Sequence, residues 1–216
     1  ISAVFYIRAT LSGTYYDSIS ASANITLDSI PRASSVSAAN MTMGTAGKIN
    51  ISRASSSFTH TLTYSFGNSS GTIATKTTAT SVSWTPPISL ASQIPNATSG
   101  TCTITCTTYN GNTNIGSKTC TFNLTVPTSV KPTISSLTAS RIDGEVPSTW
   151  GIYVQTKSKV KLTINGAAGS YGSTIKSYTI TGGGYSGSAS TLTTGFLNNS
   201  GTITFKATVT DSRGRV

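Results

Sequence analysis

Apolar and polar residues alternate with a period of two along nearly the whole chain, and this feature limits the fold more than any other. In Thr101-Cys-Thr-Ile-Thr-Cys-Thr-Thr-Tyr109, Cys102, Ile104 and Cys106 share one face and threonines the other. Lys118-Thr-Cys-Thr-Phe-Asn-Leu-Thr-Val126 repeats the pattern with Cys120, Phe122, Leu124 and Val126. A strand sends successive side chains to opposite faces, so each segment has one face to bury and one to leave in water. Between the two lies Asn110-Gly-Asn-Thr-Asn-Ile-Gly116, rich in residues that tolerate positive φ. The unit reads as a β-hairpin. Further strands are expected at 48–52, 59–66, 72–76, 160–164, 175–180 and 202–210. Breaks fall at Gly67-Asn68, Asn165-Gly166, Gly182-Gly-Gly184 and Asp211-Ser-Arg-Gly214. No segment carries a helical period.

Composition agrees with this pattern. Ser and Thr supply 76 of the 216 residues and charged residues only 9%, too few Glu and Lys for a helical bundle or coiled coil. No apolar run approaches the roughly 20 residues of a membrane helix, so no membrane insertion is expected. No basic segment precedes an apolar one near Ile1, so no signal peptide is read there. Ordered alternation of β-branched and aromatic residues argues against disorder.

The chain also repeats. Ser34-Ser-Val-Ser-Ala-Ala39 matches Ser135-Ser-Leu-Thr-Ala-Ser140, and 99–109 matches 200–210, both 101 residues apart. Lys48-Ile-Asn-Ile and Lys159-Val-Lys-Leu match at a longer offset, which implies a loop insertion. The expected class is all-β, with tandem immunoglobulin-like β-sandwich domains. Val126-Pro-Thr-Ser-Val-Lys-Pro132 separates them, and Ile30-Pro-Arg precedes the first. The division predicted is 1–30 as the last strands of a preceding β domain, 31–127 as the first sandwich, and 131–216 as a second without its last strand. In that reading the sequence is a piece of a longer protein. Phe5–Leu11 and Ile19–Leu27 would form the hairpin of the earlier domain.

The net charge of +10 is spread thinly. Alternation puts Lys157, Lys159 and Lys161 on one strand face, where they would discourage edge pairing. A patch for an anionic polymer, such as wall teichoic acid or nucleic acid, is the rival reading. No RNA-binding aromatic motif, zinc-finger spacing or recognition-helix pattern accompanies it, so nucleic acid is not expected as a partner.

Ile30-Pro-Arg-Ala-Ser34, Trp84-Thr-Pro-Pro-Ile-Ser-Leu90, Ile94-Pro-Asn-Ala-Thr-Ser-Gly-Thr101, Thr108-Tyr-Asn-Gly111 and Asp211-Ser-Arg-Gly-Arg215 resemble the repeats of siphophage minor structural proteins, from tailed phages and prophages of Gram-positive bacteria. The resemblance covers roughly residues 19 to 216. It implies a virion tail or fibre protein carrying strings of immunoglobulin-like modules. The implied partners are other tail proteins and host cell-wall polysaccharide. It brings no site residues with it. Homo-oligomers, trimers among them, suit such appendages, although no coiled-coil pattern enforces one. A wall-binding adhesin module of a bacterial surface protein is the alternative.

No catalytic grouping is visible, and neither cofactor nor metal is expected. The acids are Asp17, Asp28, Asp143, Glu145 and Asp211. His60 shares a strand face with Leu62 and Tyr64, with no acid nearby in sequence. Asp143-Gly-Glu145 reads as a surface turn, since a calcium site needs six or more oxygens. A hairpin centred near Thr113 would set Cys106 opposite Cys120, allowing a cross-strand disulfide. The rival is three buried thiols, which the reducing cytoplasm of phage assembly favours. Trp84 reads as core, while Trp150 and Tyr153 flank Gly151 near a strand start. Tyr171 and Tyr185 sit in glycine-rich loops where a ring can stack on a sugar, making them the candidates for glycan contact. Asn-x-Ser/Thr triplets at Asn24, Asn40, Asn50, Asn96 and Asn123 follow from Ser/Thr abundance, and no glycosylation is read from them.

Overall fold

The computed structural model describes residues 10, 11, 14, 15, 32–142 and 144–216. Asp17, Asn24, Asp28, Asp143 and most of the strands expected within 5–27 lie outside the described residues. Two compact units are present, Ile1–Arg32 and Ala33–Val216. In the first, β1 (Thr10–Leu11) pairs antiparallel with β2 (Thr14–Tyr15).

The second unit holds two sandwiches. The first contains β3 (Ser35–Ala38), β4 (Met41–Thr42), β5 (Gly47–Ser52), β6 (Thr59–Phe66), β7 (Ser69–Thr77), β8 (Ser81–Trp84), β9 (Ser99–Asn110) and β10 (Thr113–Thr125). One sheet runs β3-β5-β8 and the other β4-β10-β9-β6-β7. Every pairing is antiparallel except that of β4 with β10. With β7 on its outer edge, this is the strand partition of an immunoglobulin-like sandwich. Alternation builds the core. Ile49 and Ile51 of one sheet, with Leu62, Cys102, Ile104, Phe122 and Leu124 of the other, are all buried in one cluster. Each such aliphatic or aromatic side chain contributes about 1.5–3 kcal/mol on burial. Trp84 is core, its ring 5.0 Å from that of Tyr64. A 3-10 segment, Ile88–Gln93, plugs one end with Leu90 and Ala91.

The second sandwich contains β11 (Ser136–Ile142), β12 (Lys159–Asn165), β13 (Ile175–Gly182), β14 (Tyr185–Gly187), β15 (Thr191–Thr193) and β16 (Lys206–Asp211). Its sheets, β11-β12-β15 and β14-β13-β16, repeat β3-β5-β8 and β7-β6-β9. Val160, Leu162, Ile164, Ile180, Leu197 and Val209 form its core. A longer link between β11 and β12 replaces the shorter one between β3 and β5, which accounts for the longer repeat offset, and leaves Trp150, Ile152 and Tyr153 exposed. The strand expected from Thr202 starts at Lys206. Its neighbour β13 turns away through Gly182-Gly-Gly184, all three at positive φ, so Thr202–Phe205 have no ladder to join. Among the described residues no strand pairs with the other edge of β16, the position that β10 takes beside β9.

Candidate functional site

Buried polar side chains gather where the two sandwiches meet. They come from Asp211-Ser-Arg-Gly-Arg215, the segment that ends β16. Gly214, at φ 78, closes the turn, with its N–H donating to the Asp211 carbonyl at 2.9 Å. The Asp211 carboxylate, 0% exposed with its residue, organises the turn from within. Oδ1 accepts the N–H groups of Arg213 (3.0 Å) and Arg215 (2.8 Å), and Oδ2 accepts the Ser173 hydroxyl (3.0 Å). An Asp side chain bonding its own backbone two residues on is a turn-forming device, and here it also satisfies a buried charge.

This turn aims Arg213. Its Nη1 lies 4.0 Å from Asp211 Oδ2 and donates to the Ser170 carbonyl at 2.7 Å. Nη2 donates to the carbonyls of Tyr171 (3.0 Å) and Ala91 (2.8 Å), and Nε to that of Ile94 (3.3 Å). Tyr171, at φ 49, and Gly172, at φ 77, bend the loop that presents its carbonyl to the guanidinium. Ala91 and Ile94 belong to the other sandwich. Two more bonds cross the same boundary, Ser212 Oγ to the Pro95 carbonyl (2.8 Å) and Arg215 Nη2 to the Val126 carbonyl (3.1 Å). All four acceptors on the first sandwich are main-chain oxygens. The planar guanidinium, with five N–H donors in a rigid fork, suits such a ring of carbonyls better than an ammonium would. Burial lowers the pKa of Arg213, and the Asp211 charge opposes that shift. The arrangement can hold and orient. The hydroxyls within it, of Ser173 and Ser212, are bonded to Asp211 Oδ2 and the Pro95 carbonyl.

Of the residues singled out in the sequence for chemistry, Tyr171 borders this junction through its carbonyl, and the cysteines, Tyr185, the lysines and His60 fall elsewhere. Cys106 lies opposite Lys118, and Cys120 opposite Ile104, so the disulfide register is not formed and all three thiols are free. The turn is tighter than a centre at Thr113 supposes, since Asn110 pairs with Thr113, and a bulge between Asn114 and Gly116 shifts the ladder. Burial pushes the Cys102 and Cys106 thiols up to about 11, which makes them poor nucleophiles. Tyr185 is partly buried, and its hydroxyl donates to the Phe196 carbonyl at 2.6 Å, anchoring the loop before β16. Tyr171 is 43% exposed beside the junction. Of the expected lysine row, Lys159 and Lys161 share the face of β12 opposite buried Val160 and Leu162, and Lys157 lies outside the strand. Lys157 precedes β12 and pairs with Glu145, Lys159 sits over the Phe196 ring at 4.6 Å, and Lys161 faces solvent.

His60 is fully buried, its Nε2 2.9 Å from Ser34 Oγ. Ser34 N–H donates to Thr108 Oγ1 at 3.0 Å, and Ala54 N–H to Ser34 Oγ at 3.2 Å. Ser and His thus meet as a polar tie beneath the start of β3, with no acid beside them among the described residues. Burial, and then the Arg53 charge, hold the His60 pKa below its ordinary value. An apolar cavity of about 260 Å³ opens in the second sandwich between Ala139, Tyr153, Val160, Leu197, Ile203 and Phe205. Among the described residues no group of three His, Cys, Asp or Glu could hold a metal ion, and no helix is long and apolar enough to cross a membrane. The junction had a partial signal in the sequence. Asp211-Ser-Arg-Gly-Arg215 stood out as a turn, but nothing local said that its arginines point into another module.

Fibronectin(III)-like modules of Clostridium thermocellum CbhA share 14% identity with the chain, covering 83% of it and 87% of theirs, at a TM-score of 0.31. Domains of titin share 16%, covering 99% of this chain and 70% of theirs, at 0.34. Among curated proteins none matches. A family profile described as a siphovirus protein of unknown function, DUF859, matches residues 2–216, and with virtually the whole sequence inside it the chain belongs to this siphovirus family.

Proposed function

We propose that the chain is a non-enzymatic structural protein of the phage virion, part of an extended tail or fibre appendage built from β-sandwich modules, which carries those modules towards the host surface. The observation that carries the reading is the junction, where Arg213, Ser212 and Arg215 of one sandwich are bonded to carbonyls of the other. Membership of a siphovirus family supports the virion context. Outward faces of Ser and Thr keep strands soluble with little charge, as an extended object with much surface requires. Antibodies against residues 33–216, applied to intact virions and viewed by electron microscopy, test the reading. Label on the tail is expected. Label confined to the head, or none on virions, overturns it.

A second reading, that a sandwich grips wall polysaccharide, draws on the exposed aromatic residues Trp150 (61%), Tyr153 (52%) and Tyr171 (43%). Aromatic faces stack on sugars, and a charge of +10 favours approach to an anionic wall at low salt. Retention of the purified chain on host cell walls at low salt supports this reading, and no retention removes it.

A further inference from the structure

We infer that Asp211-Ser-Arg-Gly-Arg215 is a portable joint whose cognate site is a cup of main-chain carbonyls on the neighbouring sandwich, and that this joint, not the proline-bearing linker, sets the angle between modules. The inference rests on the appendage reading and deepens it by naming the partner of the junction.

Three observations carry it. The donor side is encoded in side chains. Asp211 shapes the turn through the N–H groups of Arg213 and Arg215, and its charge is buried together with that of Arg213. The acceptor side is encoded in shape. The carbonyls of Ala91, Ile94, Pro95 and Val126 receive every cross-boundary bond from the motif, so the cup depends on the path of the 3-10 segment, the turn after it and the end of β10, not on which side chains they bear. Finally, Arg213 is shared. The same guanidinium binds carbonyls of Ser170 and Tyr171 in its own sandwich, and the Ser170 hydroxyl donates to Lys131 in the linker. One buried cation therefore ties the Asp211–Arg215 turn, the loop before β13 and the neighbouring module together, and the Ser170 hydroxyl adds the linker. A repeat that keeps this five-residue pattern can dock on any sandwich whose loop follows the same path. The matching turn of the first sandwich, Asn110-Gly-Asn-Thr-Asn114, has neither the acid nor the arginines. The joint is thus a property of particular repeats, not of the sandwich as such.

Residual dipolar couplings of the full chain, recorded in one alignment medium, test this without labels on the buried cysteines. Couplings from the two sandwiches are expected to fit one shared alignment tensor in the unaltered protein. In Arg213→Ala they should require two tensors, and in Arg213→Lys as well, because an ammonium lacks the fork. Methylguanidinium added to Arg213→Ala should refill the cup and restore the shared tensor, whereas methylammonium should not. Pro95→Ala, which changes a cup side chain and keeps its carbonyl, should leave the shared tensor intact. A single tensor persisting in Arg213→Ala overturns the inference, as does its loss in Pro95→Ala. Should Arg213→Ala disturb the second sandwich itself, seen as amide shifts spread over β12 and β13, Arg215→Ala decides. It cuts only the bond to Val126, and a tensor difference is expected, while couplings identical to the unaltered protein overturn the inference. All of this is read on the isolated chain, so a flexible joint and a failed immunolabel are separate outcomes.

Discussion

His60 shows how one residue can look chemical and be structural. Its ring is fully buried, Nε2 meets Ser34, and Ser34 in turn holds Thr108 and Ala54. Because the charged ring is disfavoured there, its pKa lies below 6.5 in the fold. The unfolded chain therefore binds the proton first on acidification. Stability is full above about pH 6.5 and falls as the pH drops from there towards the depressed value. Denaturant midpoints between pH 8 and pH 5 should decline below that point, by up to about 1.4 kcal/mol for every tenfold by which the fold weakens proton binding at the ring. His60→Gln should flatten this part of the profile, and an unchanged profile would remove His60 as its source. The cysteines teach the complementary lesson. Their alternation correctly marks the inward face, while their pairing depends on a register that alternation does not contain.

At the scale of elements, period two was legible almost everywhere, because a half-buried strand must alternate to bury one face. Ladder registers were not. Between β9 and β10 a two-residue turn and a bulge at Asn114–Gly116 decide which residues face each other. Gly116 takes φ 126 there, and its N–H is held by Asn114 Oδ1 at 2.8 Å. An added Cβ has room, with Ala33 Cβ at 3.4 Å as its nearest neighbour, so the cost of Gly116→Ala is conformational. It should lower stability by about 1 kcal/mol or more, measured as a shift in denaturant midpoint at constant m-value. No loss would mean that the bulge relaxes without the glycine. The start of β16 was missed for a related reason. Thr202-Ile-Thr-Phe alternates as well as any strand, but β13 leaves at its glycine turn and offers it no partner.

For the molecule as a whole, the junction is the feature with most at stake. Removing one partner of a buried ion pair typically costs about 3–5 kcal/mol, because the remaining charge is left without compensation. Asp211→Ala should fall in that range on chemical denaturation, since it strands Arg213 and frees the N–H groups of Arg213 and Arg215. A loss below about 1 kcal/mol, the scale of an exposed pair, would show that water enters the turn. The pair is out of solvent, so added salt should change this loss little.

The sequence by itself determined the all-β class, the two-fold repeat, the inward and outward faces and the place of the insertion before β12. Each of these is local or periodic, set by how a pleated strand divides its side chains between core and water. Only the tertiary structure decided which cysteine faces which residue, that His60 meets Ser34, and that Arg213 is buried against carbonyls about 120 positions earlier in the chain. Those contacts join groups far apart in sequence, and their acceptors at the junction are backbone oxygens, which every residue carries and no pattern of side chains can mark.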